Sequence, residues 1–305
     1  MKIRAFSLSL IGSFLLAITS CSSGKQDNDY DRGDPLSGYF TIATDPAYLP
    51  MVKVLAETYM GLYPLVAIKI DTSKTGNPYQ WTVDSTVRMV VTGIELSEKD
   101  SLALVRRALM VKVSPIATDG LVLISSKSFD KDSTSSFSLR HDSCFYFNGI
   151  EFNNIMLTDK SISENNYYLS RKVTSNCEVR WVAMSSQEAV IDSTAFDKTS
   201  IGVVSWNYLC ERKSSIVKGR LNKVDVIPFL DSLSNRVFPS QSSLFSGTYP
   251  LTRPVFMVTS EPFAGPATGF AAWVASSEGQ RVIRLFGGAP IRIPPREIQI
   301  SNQNL

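Results

Sequence analysis

The sequence predicts an α/β fold, and three observations support this class. Strand-like and helix-like segments alternate along most of the chain without an internal repeat, as in proteins that pack helices against a largely parallel sheet. A strand, a helix and a second strand follow one another within residues 39–70, which is the length of a βαβ unit. The body from residue 38 to residue 305 is long enough for two lobes rather than one small core.

The predicted βαβ unit has clear start and stop signals. Residues 39–44 alternate as a strand does, and Asp45 and Pro46 suit the N-cap and the first position of the helix that follows. Apolar residues then recur at helical spacing. Gly61 ends this helix, and residues 66–70 form the next predicted strand.

Later segments continue the alternation. We expect a short helix over residues 77–87, a buried strand over 88–92 and a helix over 97–109. Leu102, Val105 and Leu109 form the apolar face of that last helix. The polar stretch 125–176 has no clear pattern. The remaining predicted elements are extended runs at 110–116 and 120–124, flanking Thr118-Asp119-Gly120, a helix at 186–194, strands at 201–206, 224–229 and 254–259, helices at 265–276 and 278–286, and a closing strand at 296–300.

The first 21 residues indicate where the protein works. Lys2 and Arg4 precede an apolar run, residues 5–17, that is too short to span a bilayer and typical of a secretory signal peptide. Residues 18–21, Ile-Thr-Ser-Cys, resemble the lipobox of bacterial lipoproteins, so Cys21 is the predicted lipidated residue. An ordinary signal peptide with a chance cysteine is the alternative. We expect a membrane-anchored lipoprotein of the cell envelope that faces the periplasm or the cell surface.

The segment after the predicted anchor is polar. Residues 22–37 are rich in Ser, Asp and Gly and cannot bury enough apolar surface to fold. They therefore form the predicted flexible tether between the anchor and the folded body.

Composition and motifs argue against several functions. The formal charge of +3 includes Lys2 and Arg4, and the +1 that remains without them gives no electrostatic footprint for nucleic acid. His141 is the only histidine and no C-x-x-C spacing occurs, so neither a zinc site nor a Ser-His-Asp triad is expected. Phosphate-loop and dinucleotide fingerprints are missing as well. We therefore predict that the protein is not an enzyme and uses no metal or cofactor.

The body contains three cysteines, Cys144, Cys177 and Cys210. Three cannot all pair within one chain, although export makes a disulfide chemically possible. The sequence leaves open whether any two of them pair.

Several motifs, in the right order, resemble phosphate ABC transporter substrate-binding proteins. Residues 247–253, Gly-Thr-Tyr-Pro-Leu-Thr-Arg, are similar to the G-x-Y-P-L-x-R segment of that family. The later block with Phe270, Trp273 and residues 287–290 also fits, and residues 50–59 resemble the first helix of the family. The resemblance covers roughly residues 38–125 and 200–300, with a divergent middle.

This resemblance implies a bilobal fold of the periplasmic-binding-protein type II. Two α/β lobes face each other across a cleft, are joined by two crossing strands and close on the ligand by a hinge motion. The crossings are expected near residues 115–120 and 249–254. Residues 38–117 and 251–305 would form lobe 1, and residues 118–250 would form lobe 2.

The resemblance also implies a function. The chain would bind phosphate or a similar small oxyanion and deliver it to an ABC transporter permease. Helix N-termini and hydroxyl groups in such a cleft are suited to a small anion. The predicted ligand-binding residues are Thr44, Ala47, Thr75, Gly76 and Thr92 in lobe 1, and Arg171 and Ser175 in lobe 2, where the family has Arg-x-x-x-Ser-Gly-Thr.

Three departures from the family pattern weaken this prediction. Asp45-Pro46 stands where the family places a threonine, and so puts a carboxylate beside the helix N-terminus. Gly93 stands where a phosphate binder usually carries an aspartate. Asn176 and Cys177 replace the Gly and Thr of the lobe 2 motif. The alternative is therefore a structural or interaction lipoprotein of the envelope, with the same fold and a degenerate, non-binding anion site.

Overall fold

The computed structural model describes residues 34–132, 135–139, 144–160, 163–173, 177–211 and 213–293. The predicted signal peptide with Cys21, most of the tether, His141, Ser175 and the predicted strand at 296–300 lie outside the described residues. None of the helices within these ranges is long and apolar enough to cross a membrane.

Helices and strands alternate through lobe 1 and recur through the rest of the described chain. The helices are α1 (Leu49–Leu62), α2 (Pro78–Trp81), α3 (Glu98–Val105), α4 (Glu164–Lys172), α5 (Gln187–Phe196), α6 (Ser215–Lys223), α7 (Gln241–Phe245), α8 (Pro266–Ala275) and α9 (Ser277–Phe286). The strands are β1 (Gly38–Thr44), β2 (Val66–Asp71), β3 (Val87–Thr92), β4 (Lys112–Ser126), β5 (Phe137–Leu139), β6 (Phe145–Phe147), β7 (Ile150–Glu151), β8 (Ile155–Thr158), β9 (Arg180–Ala183), β10 (Ile201–Ser205), β11 (Val224–Val226), β12 (Phe229–Leu230), β13 (Arg236–Val237), β14 (Thr252–Thr259) and β15 (Ala289–Pro290).

One large sheet runs through both lobes in the order β2-β1-β3-β14-β4-β10-β8-β9. In lobe 1, β1 is parallel to both β2 and β3. In lobe 2, β8 is parallel to both β10 and β9. The strands β14 and β4 lie between these two parallel groups and pair with each other in antiparallel fashion. The two halves of the sheet are therefore built alike, and the structure confirms a bilobal α/β fold.

Strand β4 belongs to both lobes and corrects one prediction. Its residues 112–120 pair with β14, and its residues 121–125 pair with β10. The two extended runs predicted on either side of Thr118-Asp119-Gly120 are instead one continuous strand. Asp119 is buried against Arg253, and an added Cβ at Gly120 would contact the end of the Leu244 side chain. The predicted lobe boundary at residues 117–118 falls within β4 and stays a prediction.

Two predicted helices in lobe 1 are shorter than expected. The helix predicted over 77–87 is limited to α2, after which the chain turns into β3. Helix α3 ends at Val105 rather than at residue 109. Leu102 and Val105 are 52% and 67% exposed, whereas Leu104 is buried. The predicted apolar face of this helix was therefore wrong, because α3 packs through Leu104.

The core of lobe 1 lies between α1 and the two C-terminal helices. Tyr59 of α1 packs its ring against Phe270 at 5.1 Å and Trp273 at 5.3 Å between centroids. Met51 and Leu55, on the same side of α1, are fully buried. Burial of each such side chain is worth about 1.5–3 kcal/mol. This packing holds α1 against α8.

A second, small sheet in lobe 2 has the order β13-β12-β5-β6-β7. Strands β5, β6 and β7 come from the polar middle of the chain, and β12 and β13 come from residues 229–237. Aromatic rings fill its interior, among them Phe137, Phe145 and Phe229. A disulfide joins Cys144 to Cys177, while Cys210 is buried outside any disulfide. This pairing answers the question that the sequence left open.

Candidate functional site

A cleft of about 830 Å³ lies between the two lobes. Lobe 1 lines it with the turns that follow β1, β2 and β3, and lobe 2 lines it with the turns that follow β8 and β9 and with one side of α4. Ligands of α/β proteins bind at the carboxyl ends of parallel strands. The cleft is therefore in the position where the fold would place a ligand.

Glu164, the first residue of α4, extends its side chain from lobe 2 to lobe 1. Its Oε1 accepts a hydrogen bond from the Thr92 hydroxyl at 2.6 Å, and its Oε2 accepts one from the Gly93 N–H at 2.6 Å. The residue is only 5% exposed. The donors at the end of β3 therefore bind a carboxylate from the opposite lobe. We call Thr92 and the Gly93 N–H the oxyanion cradle.

Asp45 makes the reciprocal contact from lobe 1 to lobe 2. Its Oδ1 accepts from the Ala47 N–H at 2.9 Å, so that Asp45 is the N-cap of a short 3-10 helix, Pro46–Tyr48, that leads into α1 rather than of α1 itself. Its Oδ2 accepts from the Glu164 N–H at 3.0 Å. One carboxylate thus satisfies backbone donors at helix starts in both lobes. Asp45 and Glu164 together tie the turn after β1 to the N-terminus of α4.

A third carboxylate, Asp159, completes the floor of the cleft from within lobe 2. It accepts hydrogen bonds from the Ser163 hydroxyl at 2.6 Å, from the Asn165 amide at 3.2 Å and from the Gln187 amide at 2.7 Å. Burial raises the pKa of Asp159 to about 6. Its contacts position the loop that leads into α4.

The environment of Glu164 favours its neutral form. Burial raises the pKa of Glu164 to about 7, and the charge of Asp45 acts in the same direction. The hydrogen bonds from Thr92 and Gly93 and the charge of Arg253 oppose this rise. Glu164 therefore titrates near neutral pH, unlike an exposed glutamate.

Arg253 is the buried cation of this region and forms a structural ion pair. Its Nη2 donates to Asp119 at 2.8 Å and to the side-chain Oδ1 of Asn165 at 2.6 Å, and its Nε donates to Asp119 at 3.1 Å. The Ser205 hydroxyl donates to the same aspartate. Strands β14, β4 and β10 and helix α4 are joined in this way. Arg253 is 2% exposed and does not line the cleft.

Tyr48 explains why a glycine follows Thr92. A Cβ added at Gly93 would overlap the Tyr48 hydroxyl. The Arg253 guanidinium lies over the Tyr48 ring, with its Cζ 4.9 Å from the ring centroid. The aspartate that the family pattern has here would therefore need a different neighbour. The sequence departure at Gly93 is matched by Tyr48.

The structure brings most of the predicted lobe 1 residues to the cleft or its floor. Thr75 and Gly76 line the cleft directly. Thr44 is buried beneath it, where its hydroxyl donates to the Val91 carbonyl at 3.1 Å. The Ala47 N–H and Thr92 are bonded to Asp45 and Glu164, as described above. Their roles toward a ligand stay predictions.

The predicted lobe 2 residues are placed differently. Arg171 lies exposed in the last turn of α4, where it donates to the Tyr167 hydroxyl at 3.2 Å and does not line the cleft. Ser175 lies outside the described residues. The loop from β8 to α4 faces the cleft instead. It has the Arg-to-Ser spacing of the family motif, with Asp159 in place of Arg and Ser163 as the serine, followed by Glu164.

Sequence reasoning did not single out Asp159 or Glu164. One signal was available, because Thr44-Asp45 and Thr158-Asp159 each follow a short run of strand-forming residues. The described residues contain no cluster of His, Cys, Asp and Glu arranged to hold a metal ion. The cleft is lined by hydroxyls, carboxylates, side-chain amides, aromatic rings and the two lysines Lys74 and Lys160.

The fold defines a class of protein: a bilobal α/β protein of the periplasmic-binding-protein type, here with a cleft between its lobes. No protein-family model matches the chain, and no curated protein matches it. Similar solved structures exist, however. One is described as a phosphate ABC transporter substrate-binding protein with bound phosphate from Clostridium perfringens, with TM-score 0.61 and 14% identity, covering 84% of this chain and 100% of that one.

Two further structures extend the comparison. An ABC-type phosphate transport receptor from Vibrio cholerae has TM-score 0.59 and 14% identity, covering 83% of this chain and 100% of that one. The CcmR regulatory domain of Synechocystis PCC6803, in complex with 2-PG, has TM-score 0.51 and 12% identity, covering 78% and 96%. These likenesses confirm the predicted resemblance at the level of the fold. Because the fold serves more than one role, the ligand must be argued from the site.

Proposed function

We propose that the protein is a lipid-anchored extracytoplasmic substrate-binding protein that takes a small oxyanion, phosphate foremost, into its interlobe cleft and delivers it to an ABC transporter permease. The observation that carries this proposal is the oxyanion cradle. Thr92 and the Gly93 N–H hold the Glu164 carboxylate through two hydrogen bonds of 2.6 Å. A loop that binds one oxyanion in this way has the chemistry to bind another.

The energetics favour such a ligand. Hydrogen bonds to a charged acceptor contribute about 1.5–3 kcal/mol each. The N-terminus of α4 faces the same cleft, and helix N-termini attract anions. Thr75 and Gly76 lie on the opposite side of the cleft opening and could add donors from the turn after β2. The printed descriptions of the Clostridium and Vibrio structures, which name phosphate, support the same choice.

Titration calorimetry of the purified protein with inorganic phosphate tests this proposal. We expect binding in the micromolar range. Because Glu164 uses the same donors in the wild type, the cradle is tested in a Glu164→Ala background, where Thr92→Val should weaken phosphate binding about ten-fold, since one charged hydrogen bond is lost while the side-chain shape is kept. Thr199→Val is the matched control, since the Thr199 hydroxyl donates to Asp197 and neither residue lines the cleft. Equal affinity of Glu164→Ala with and without Thr92→Val would contradict a ligand at the cradle.

A second candidate function is an envelope interaction lipoprotein with a degenerate anion site. The specific observation in its favour is that Asp45 and Glu164 already satisfy the Ala47, Glu164, Thr92 and Gly93 donors. If neither the wild type nor a Glu164→Ala variant gives heat with phosphate or sulfate while both unfold cooperatively, this second function is favoured.

The anchor and the permease need separate tests. Cys21→Ser should move the protein from the membrane fraction to the soluble fraction and abolish labelling with radioactive palmitate. Delivery to a permease should appear as phosphate-dependent stimulation of ATP hydrolysis by the transporter in proteoliposomes. Loss of that stimulation in Thr92→Val would connect the cradle to transport.

A further inference from the structure

Glu164 occupies the position that an external oxyanion would need. We infer that Glu164 is an internal ligand of the cleft, a carboxylate that binds the cradle of the opposite lobe and that an incoming oxyanion must displace. This inference rests on the proposed oxyanion function and names the residue that sets its affinity and selectivity.

The contacts have the geometry of ligand recognition. Both carboxylate oxygens are used, each by a different donor on the same turn. The Thr92 distance of 2.6 Å lies within the range of charge-assisted O–H···O hydrogen bonds, and the Gly93 N–H distance of 2.6 Å is slightly shorter than is usual for N–H···O bonds. Glu164 lies in the sequence 72 positions from Thr92, so the contact comes from the approach of the two lobes rather than from local structure.

The internal ligand also contributes to lobe closure. In a bilobal binding protein the ligand bridges the lobes and favours the closed state. Here the Glu164 side chain makes one such bridge, and the contact from the Glu164 N–H to Asp45 makes a second. Displacement of the Glu164 side chain would therefore remove a contact between lobes that the external anion has to replace.

Competition of this kind selects among ligands. A tethered group competes at an effective concentration in the millimolar range or above. An external ligand can bind only when Glu164 has left the cradle. Its apparent dissociation constant is therefore the intrinsic value divided by the fraction of protein in that state. Weakly held monoanions would be excluded, whereas a tightly held dianion could still compete.

The competition between Glu164 and an external ligand depends on pH. The groups that face Glu164 are Asp45 from the turn after β1, Arg253 from β14, and the phenols of Tyr48 and Tyr79. In the closed cleft the pKa of Glu164 is about 7, above its ordinary value of 4.5. Closure therefore takes up a proton. Lower pH favours the state in which Glu164 is buried in the cradle.

Phosphate titrations of the full mature protein test the inference. Glu164→Ala should bind phosphate at least about ten-fold more tightly than wild type, since the competitor is gone. Glu164→Gln keeps the shape and tests the charge. Glu188→Ala is the matched control, because Glu188 also lies in the first turn of a lobe 2 helix but is exposed and paired with Arg220. Its affinity should equal that of the wild type.

The pH dependence distinguishes competition from a general structural effect. The ratio of the wild-type and Glu164→Ala dissociation constants should grow as pH falls from about 8 to about 6. The ionisation of phosphate itself cancels in this ratio. A ratio that stays constant would overturn the role of Glu164 as a titrating competitor.

The outcomes separate the inference from the proposed function. Phosphate binding that is equal in wild type and Glu164→Ala, or weaker in the variant, overturns the internal ligand but leaves an oxyanion receptor. If neither protein binds phosphate or sulfate, the oxyanion function fails. Small-angle scattering then decides the internal ligand separately. A larger radius of gyration in Glu164→Ala supports the interlobe bridge, and an unchanged radius overturns it.

Discussion

Strand β1 of lobe 1 and strand β8 of lobe 2 each end at a threonine that is followed by an aspartate, Thr44-Asp45 and Thr158-Asp159. Each of the two strands lies between two parallel neighbours. In each pair the threonine hydroxyl donates to the aspartate carbonyl, at 3.3 Å in lobe 1 and 3.2 Å in lobe 2. The aspartates then differ. Asp45 reaches across the cleft to the Glu164 N–H, whereas Asp159 bonds only within lobe 2 among the contacts described.

This difference shows how one local turn can have two roles. The strand end and the Thr-Asp turn follow from sequence near that point. The partner of the aspartate depends on what the other lobe presents. In lobe 1 the carboxylate links the lobes. In lobe 2 it orients Ser163 and Asn165 at the start of α4, the helix that carries Glu164.

The largest expected effect comes from breaking the anchor that the two lobes share. Arg253→Met leaves the buried Asp119 carboxylate and the side-chain Oδ1 of Asn165 without their guanidinium partner. Removal of one partner of a buried ion pair costs about 3–5 kcal/mol. Urea unfolding should show a loss of this size.

A double variant controls for this prediction. Arg253→Met combined with Asp119→Leu removes both charges, so it should recover a substantial part of the lost stability. A loss below about 1 kcal/mol in the single variant would show that the pair is not the anchor of the two lobes.

A smaller effect is the pH dependence of stability that Glu164 and Asp159 produce. The folded-state pKa values of Glu164 and Asp159, about 7 and about 6, lie above their ordinary values. The folded state therefore holds protons that the unfolded state has released, and stability falls as pH rises from about 5 to about 8. From these two pKa shifts we expect a loss of about 4 kcal/mol at most over this range.

Denaturant titrations at several pH values measure this loss. Glu164→Gln should flatten the dependence between about pH 6 and pH 8, and Asp159→Asn should flatten it mainly below about pH 7. Wild-type stability that rises over the whole range would mean that these two carboxyls do not control it.

The smallest effect sharpens the comparison of the two aspartates. Asp45→Asn should cost less than about 1 kcal/mol of stability, because the amide can keep one of the two backbone contacts. It should nevertheless open the cleft, as an increase in the radius of gyration. Asp159→Asn should leave the radius unchanged, since its contacts lie within one lobe. Equal scattering of both variants would remove the distinction.

Much of the scaffold could be predicted from the sequence. The alternation of residues 39–44, the Asp45 cap and the apolar spacing of α1 are local signals, and the structure has each of them. The sequence also indicated that the Asp45 carboxylate would stand beside the expected anion position.

The occupant of the cradle could not be predicted in the same way. Glu164 is 119 positions from Asp45 and lies in the polar stretch that has no clear pattern. The need for Gly93 depends on Tyr48, whose hydroxyl leaves no room for a Cβ at that position. Pairings of this kind follow from how the lobes meet, and no local periodicity reports them.

The disulfide between Cys144 and Cys177 has a consequence for where the cleft acquires its final form. The chain that it closes into a loop contains the whole of α4, and therefore Glu164. Such bonds form in oxidising compartments and are kept reduced in the cytosol. A chain retained in a reducing compartment would lack this covalent restraint on the helix that presents Glu164. The disulfide restraint on α4 would thus form only after the chain has reached an oxidising compartment.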